Sequence, residues 1–143
     1  MGLLTLAAAL QLPVSLHGIQ LGRPTDVLLD VEAWQTLGFV VRCGDESERF
    51  LPFAASQPSG EAIAVGSSLL LLEDVAFYES RGSSFRALRG GQVQRNSLPA
   101  GILRDAVLGD GGAIVELELE RGGIRRRVPA TGAIVVPSRA TAA

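Results

Sequence analysis

The chain writes one pattern twice, 79 residues apart. Gly22-Arg23-Pro24-Thr25-Asp26-Val27-Leu28-Leu29 returns as Gly101-Ile102-Leu103-Arg104-Asp105-Ala106-Val107-Leu108, so Gly22, Asp26 and Leu29 meet Gly101, Asp105 and Leu108. The match runs without gaps back to Val14 and Val93. A repeat of this length in 143 residues makes two very small units more natural than one domain. A unit of about 65 residues buries only roughly 60% of its unfolded surface, so two copies should lean on each other. Aromatic residues are only 5%, so the core must come from Val, Ile, Leu and Ala. Seventeen glycines and seven prolines favour short strands joined by many turns over long helices.

Along the chain, Leu3 to Leu12 fits a helical turn or a strand. Val14 and Val93 open the repeated strands, with His17-Gly18 and Asn96-Ser97 in equivalent turns. Strands are expected over Arg23 to Leu29, Leu37 to Cys43 and Arg49 to Phe53, with a short one at Ala62 to Val65 and another at Leu69 to Leu72, an apolar run that reads as buried. In the second copy they are expected over Gly101 to Leu108, Ala113 to Glu120, Ile124 to Pro129 and Ala133 to Val136. Alternation from Val115 onward puts Val115, Leu117 and Leu119 on one face and the glutamates on the other. Val128-Pro129 stands where Leu51-Pro52 stood, and Ala133 to Val136 where Ala62 to Val65 stood. The natural division is 1–72, a first unit, 73–90, a linker with one short helix, and 91–143, a second unit ending in a frayed tail from Ser138. Such strands and glycine turns indicate small β-barrels or sandwiches. The apolar stretch Leu69 to Leu72 and Phe77 is expected at the contact between them.

Gly22-x3-Asp26-Val27-Leu28-Leu29-Asp30, an apolar strand, Leu51-Pro52-Phe53 and a short Ile-x-Val strand together resemble the PRC-barrel domain. That family is named for the cytoplasmic part of the photosynthetic reaction centre H subunit and includes the C-terminal domain of the RimM ribosome-maturation factor. The likeness spans nearly the whole chain as two tandem copies. The second copy departs from it with Gly109 for the final Asp and Ala130 for the Phe. The resemblance implies a mainly β chain of two partly open antiparallel β-barrels, joined here by a short helical linker. It also implies an interaction module with no shared catalytic residues. The reaction-centre subunit has a membrane-spanning helix, and no apolar run here reaches the roughly 18 residues of one. RimM carries a different domain ahead of its barrel.

The chemistry-bearing residues are few. Asp26 and Asp105 recur at matched positions, either as two equivalent sites or as carboxylates accepting backbone N–H bonds. His17 is the sole histidine and lacks an orienting partner, so it reads as a surface turn residue. Cys43 is the sole cysteine: no intrachain disulfide can form, a reducing, cytoplasmic setting follows, and the thiol reads as a small buried group rather than a nucleophile. One Cys and one His make zinc implausible, and no cofactor is expected. Trp34 sits in an expected loop, as an exposed anchor for a partner or as a plug over a barrel end.

Net charge is -2, too small to argue for any partner. It divides unevenly: three Arg against seven acids in 1–72, ten Arg against eight acids in 73–143. Arg125 and Arg127 share one strand face. They either meet Glu116, Glu118 and Glu120 across a hairpin or join a phosphate-binding surface. The interaction candidates are therefore Trp34, Arg125 and Arg127. The first twelve residues lack a basic stretch before their apolar run, so a signal peptide is not expected. The reading is a soluble, non-enzymatic module that binds a protein partner or itself. The alternative is a ribosome- or RNA-associated factor of RimM type; DNA is not expected.

Overall fold

The computed structural model describes residues 4–136. The tail expected from Ser138 lies outside the described residues. The chain is mainly β and forms two curled sheets. It opens with β1 (Leu4–Thr5) and α1 (Leu6–Ala9), then runs through β2 (Val14–Leu16), β3 (Ile19–Asp30), β4 (Gln35–Cys43), β5 (Glu48–Pro52), β6 (Ser56–Pro58) and β7 (Ile63–Val65). After α2 (Val75–Glu79) come β8 (Ser83–Ser84) and α3 (Phe85–Leu88). The remainder is β9 (Gln92–Arg95), β10 (Leu98–Leu108), β11 (Ile114–Arg121), β12 (Ile124–Pro129) and β13 (Ala133–Val136). The first sheet has the order β5-β4-β3-β2-β7-β6, and the second β12-β11-β10-β9-β13.

Positions 79 apart take the same register in the long strands. Thr25 is an extra residue in β3 opposite Val41 and Val40; Arg104 is one in β10 opposite Leu119 and Glu118. Leu37 bulges from β4 and Val115 from β11 in the same way. Bulges of this kind bend a strand and increase its twist, which curls each sheet. The tight turns also match: His17 and Asn96 both have positive φ, as do Gly18 and Ser97. A left-handed pair at both central positions suits a two-residue hairpin. Gly22 lies so close to β4 that an added Cβ would sit 2.3 Å from the Arg42 carbonyl oxygen.

Each sheet is completed by the other half of the chain. β1 pairs with β10, and β8 pairs with β3, both antiparallel. β1-α1 and β8-α3 are themselves 79 residues apart, so the leading segments are exchanged. Leu6 and Ala9 of α1, and Phe85 and Leu88 of α3, are buried in one cluster. That same cluster holds Val27, Phe39 and Leu51 of the first sheet and Leu103, Leu117 and Leu119 of the second. The main hydrophobic core is therefore continuous through both halves.

Several expectations need correction. Leu69 to Leu72 is no strand. Residues Ser68–Leu70 form a 3₁₀ turn in which Leu69 is 84% exposed, and only Leu71 is buried. Ser67 caps that turn by accepting from the Leu69 N–H, and local capping of this kind competes with strand formation. Leu69 and Phe77 do not seal the contact between halves; the exchanged segments do. Phe77 sits on α2 against Tyr78 and beneath the Arg81 guanidinium. Residues 73–90 hold two short helices where one was expected. Val115 points away from Leu117 and Leu119 because it is the bulged residue, and Ile114 takes the inner place. Not every pair is antiparallel: β7 runs parallel to β2, whereas β13 runs antiparallel to β9. The likeness of Ala62-Ile63-Ala64-Val65 to Ala133-Ile134-Val135-Val136 hides this reversal. The longer connection after Pro52 turns the chain through β6 before β7, while β13 follows Pro129 almost at once.

Candidate functional site

The repeated aspartates lie at the exchanged contact. Each follows a bulge, which turns its carboxylate toward the segment arriving from the other half. Asp105 Oδ1 accepts from the Ala7 N–H at 3.0 Å and from its neighbour Ala106 at 2.8 Å. Asp26 Oδ1 accepts from the Arg86 N–H at 3.1 Å and from Val27 at 2.8 Å. Ala7 and Arg86 are the second residues of α1 and α3, whose N–H groups have no intrahelical partner. The third N–H of each helix is met locally: Ala8 donates to Thr5 Oγ1 at 3.2 Å and Ala87 to Ser84 Oγ at 3.1 Å. Ser84 also donates to Asp26 Oδ2. Both carboxylates accept backbone donors, so their chemistry here is capping. Thr5 and Ser84 escaped the sequence reading, although two hydroxyl caps in register 79 residues apart were a usable signal.

Trp34 lies at the same contact. It is only 6% exposed and lines a cleft with Val31, Glu32 and Ile134. Its Nε1–H donates to the Ala133 carbonyl at 3.2 Å, and its own carbonyl accepts from Ile114 N–H at 2.7 Å. Gln35 Nε2 donates to the Gly111 carbonyl at 2.6 Å. A cleft of about 500 Å³ opens beside these bonds, bounded by Gln35, Thr36, Phe53, Ser56 and Gly111. Thr36 is buried and its hydroxyl has no partner among the described residues.

The arginines of the second half are mostly engaged within the chain. Glu118 stands opposite Arg127 and Glu120 opposite Arg125. Arg125 reaches Glu120 at 3.4 Å and Glu118 at 3.8 Å, and Arg104 reaches Glu120 at 3.4 Å. Arg86, Arg89, Arg95, Arg121 and Arg126 donate to backbone carbonyls. Arg127 has neither an ion pair nor a side-chain hydrogen bond among the described residues. By register Glu118 and Arg127 correspond to Val40 and Phe50 of the first sheet. Phe50 is stacked on Tyr78 of α2 at 4.1 Å between ring centroids, and no described element covers Glu118 and Arg127 in that way. The charged hairpin is thus the solvated counterpart of a covered apolar face.

His17 occupies its expected turn, lining a shallow cleft with Ser15, Gln57 and Gly66. Cys43 is half-buried, and burial pushes its thiol up against the opposing pull of Arg49. A protonated thiol is a poor nucleophile. Among the described residues no three His, Cys, Asp or Glu side chains gather to hold a metal ion. No described helix is long and apolar enough to cross a membrane. What the surface offers instead is aliphatic. Ile19 and Leu98 are exposed at equivalent hairpin tips, and Ile124, Ile134 and Val136 on strands of the second sheet.

No protein-family model matches this sequence, and none of the curated proteins matches it.

Proposed function

We propose that the chain is a non-enzymatic, soluble, cytoplasmic interaction module built from two PRC-barrel-like units, which binds a protein partner or a second copy of itself. One observation carries this reading: Asp26, Asp105, Trp34 and Arg125 are engaged within the fold, Arg127 being the exception, while β-branched and leucine side chains stand exposed on strand edges and hairpin tips. Scattered exposed aliphatic residues are ordinary, but Ile134 and Val136 stand together on one face of β13. The curled sheets, the bulges and the matched aspartates support the PRC-barrel likeness; the parallel β2·β7 pair departs from it.

Arg127 and the basic second half favour an RNA- or ribosome-associated role of RimM type as a second reading. Against it, the guanidinium groups around Arg127 are tied to carbonyls and glutamates, and stacking platforms are scarce. A tagged pull-down from native lysate, with and without nuclease, separates the two. A discrete protein that survives nuclease and is released by charged substitution of the exposed aliphatic residues is the expected result. Ribosomal proteins that vanish with nuclease overturn it in favour of the RNA role.

A further inference from the structure

We propose that the end of the second sheet where the β9–β10 and β11–β12 turns meet docks on an anionic lipid bilayer, Leu98 and Ile124 entering the headgroup layer while Arg95, Arg121 and Arg126 bind lipid phosphates. This surface goes beyond the protein-partner reading and does not depend on it. Its residues come from one face of the sheet. Val93 is fully buried, Arg95 follows it two residues later on the same face, and Leu98 stands opposite Arg95. Leu119 is fully buried and Arg121 follows it two residues later; Arg126 stands opposite Leu119 and Ile124 opposite Arg121. The face that packs the core thus runs on past it, and there it carries two aliphatic residues and three arginines. Two bonds join the turns: Arg121 donates to the Pro99 carbonyl and Arg126 to the Ala100 carbonyl, each at 3.4 Å.

Exposure and charge select the partner. Leu98 is 68% exposed and Ile124 71%, and every residue from Asn96 to Pro99 and from Arg121 to Arg127 is exposed. No carboxylate occurs in 94–99 or 121–126. Glu118 and Glu120 of β11 lie on the opposite face, paired with Arg104 and Arg125. Arg95, like Arg121 and Arg126, spends one N–H on a carbonyl, and a guanidinium has five, which leaves donors for phosphate oxygens. Protruding aliphatic side chains beside cations, with no acid among them, suit an anionic membrane surface, where apolar burial and charge attraction add. RNA fits less well. Residues 91–143 contain no aromatic side chain on which a base could stack, and RNA phosphates would leave Leu98 and Ile124 in water. The corresponding turn of the first half, Gly44-Asp45-Glu46-Ser47-Glu48, is acidic, so only the second half's end is drawn to the lipid.

The test is co-sedimentation of the full chain with vesicles of phosphatidylcholine alone and of phosphatidylcholine with phosphatidylglycerol, beside a titration with a uridine oligonucleotide. Circular dichroism checks the folding of each variant. Wild type is expected on the phosphatidylglycerol vesicles only, and to leave them as salt rises. R121Q and R126Q should each weaken binding about fivefold. L98S/I124S should weaken it at least about tenfold although no charge changes, while R127Q, on the other face, should bind as wild type does. No binding to phosphatidylglycerol vesicles, or equal binding to phosphatidylcholine alone, overturns the inference. L98S/I124S bound as tightly as wild type, or R127Q weakened as much as R121Q, shows attraction by charge alone and overturns the docking face. Binding of the oligonucleotide with none to the vesicles overturns it in favour of RNA. If the arginine variants fail to fold, L98S/I124S decides: weakened binding supports the face and unchanged binding overturns it.

Discussion

Asp26 and Asp105 show a recurrent carboxylate put to structural use. Each satisfies a helix N–H that belongs to a segment 60 or 98 residues away in sequence, so each is at once a cap and a clasp between halves. Losing a cap costs typically about 1 kcal/mol, and stranding a buried donor adds about 1–3 kcal/mol. Asp105 is only 8% exposed, so the second cost applies to it more fully. Asp105→Ala is therefore expected to lower stability by about 2 kcal/mol, and Asp26→Ala by somewhat less. Urea denaturation checks this; no loss in either variant would show that the carboxylates carry no load at the contact. The aspartates were visible in sequence through their spacing, but their partners were not. A backbone N–H leaves no mark on residue identity, and nothing local says that Ala7 will meet Asp105.

At the level of elements, period and turn chemistry carried most of the reading. β12 and β13 run over the residues expected for them, and the glycine-rich and Asn-Ser turns fall where expected. The misses have two causes, a partner distant in sequence and, at Ser68–Leu70, a local cap by Ser67. Val115 breaks its alternation because a bulge beside Leu108 turns it outward. The Leu69 to Leu72 run does not pair along its length because β5 accepts only Leu72. α2 is the counterpart missing from the second sheet. It covers Leu28, Val40 and Phe50 mainly through Val75 and Tyr78. Tyr78→Ala is expected to release α2 while both sheets persist, since the main core lies on the other face. Hydrogen exchange should then quicken across residues 75–79 with the amides of β3 and β10 still protected. Loss of protection throughout would mean that α2 supports the whole fold.

The whole molecule is held by exchange. β1-α1 completes the sheet of the second half, β8-α3 completes that of the first, and Trp34 bonds across to β13 and β11. Ion pairs add little, because the Glu–Arg pairs are solvent-exposed and such pairs contribute about 0–1 kcal/mol each. The cohesion comes from a core whose side chains are drawn from both halves. A chain built this way cannot melt one sheet and keep the other, since each would lose a strand, a helix and part of its core. The repeat and the cohesion belong to one logic: the chain seals itself internally by reciprocal pairing. Scanning calorimetry of the full chain tests the central claim most directly. One transition, with calorimetric and van't Hoff enthalpies equal, and shifted as a unit by Asp105→Ala, is the expected result. Two transitions, of which Asp105→Ala moves only one, would show two independent domains and contradict the exchanged architecture.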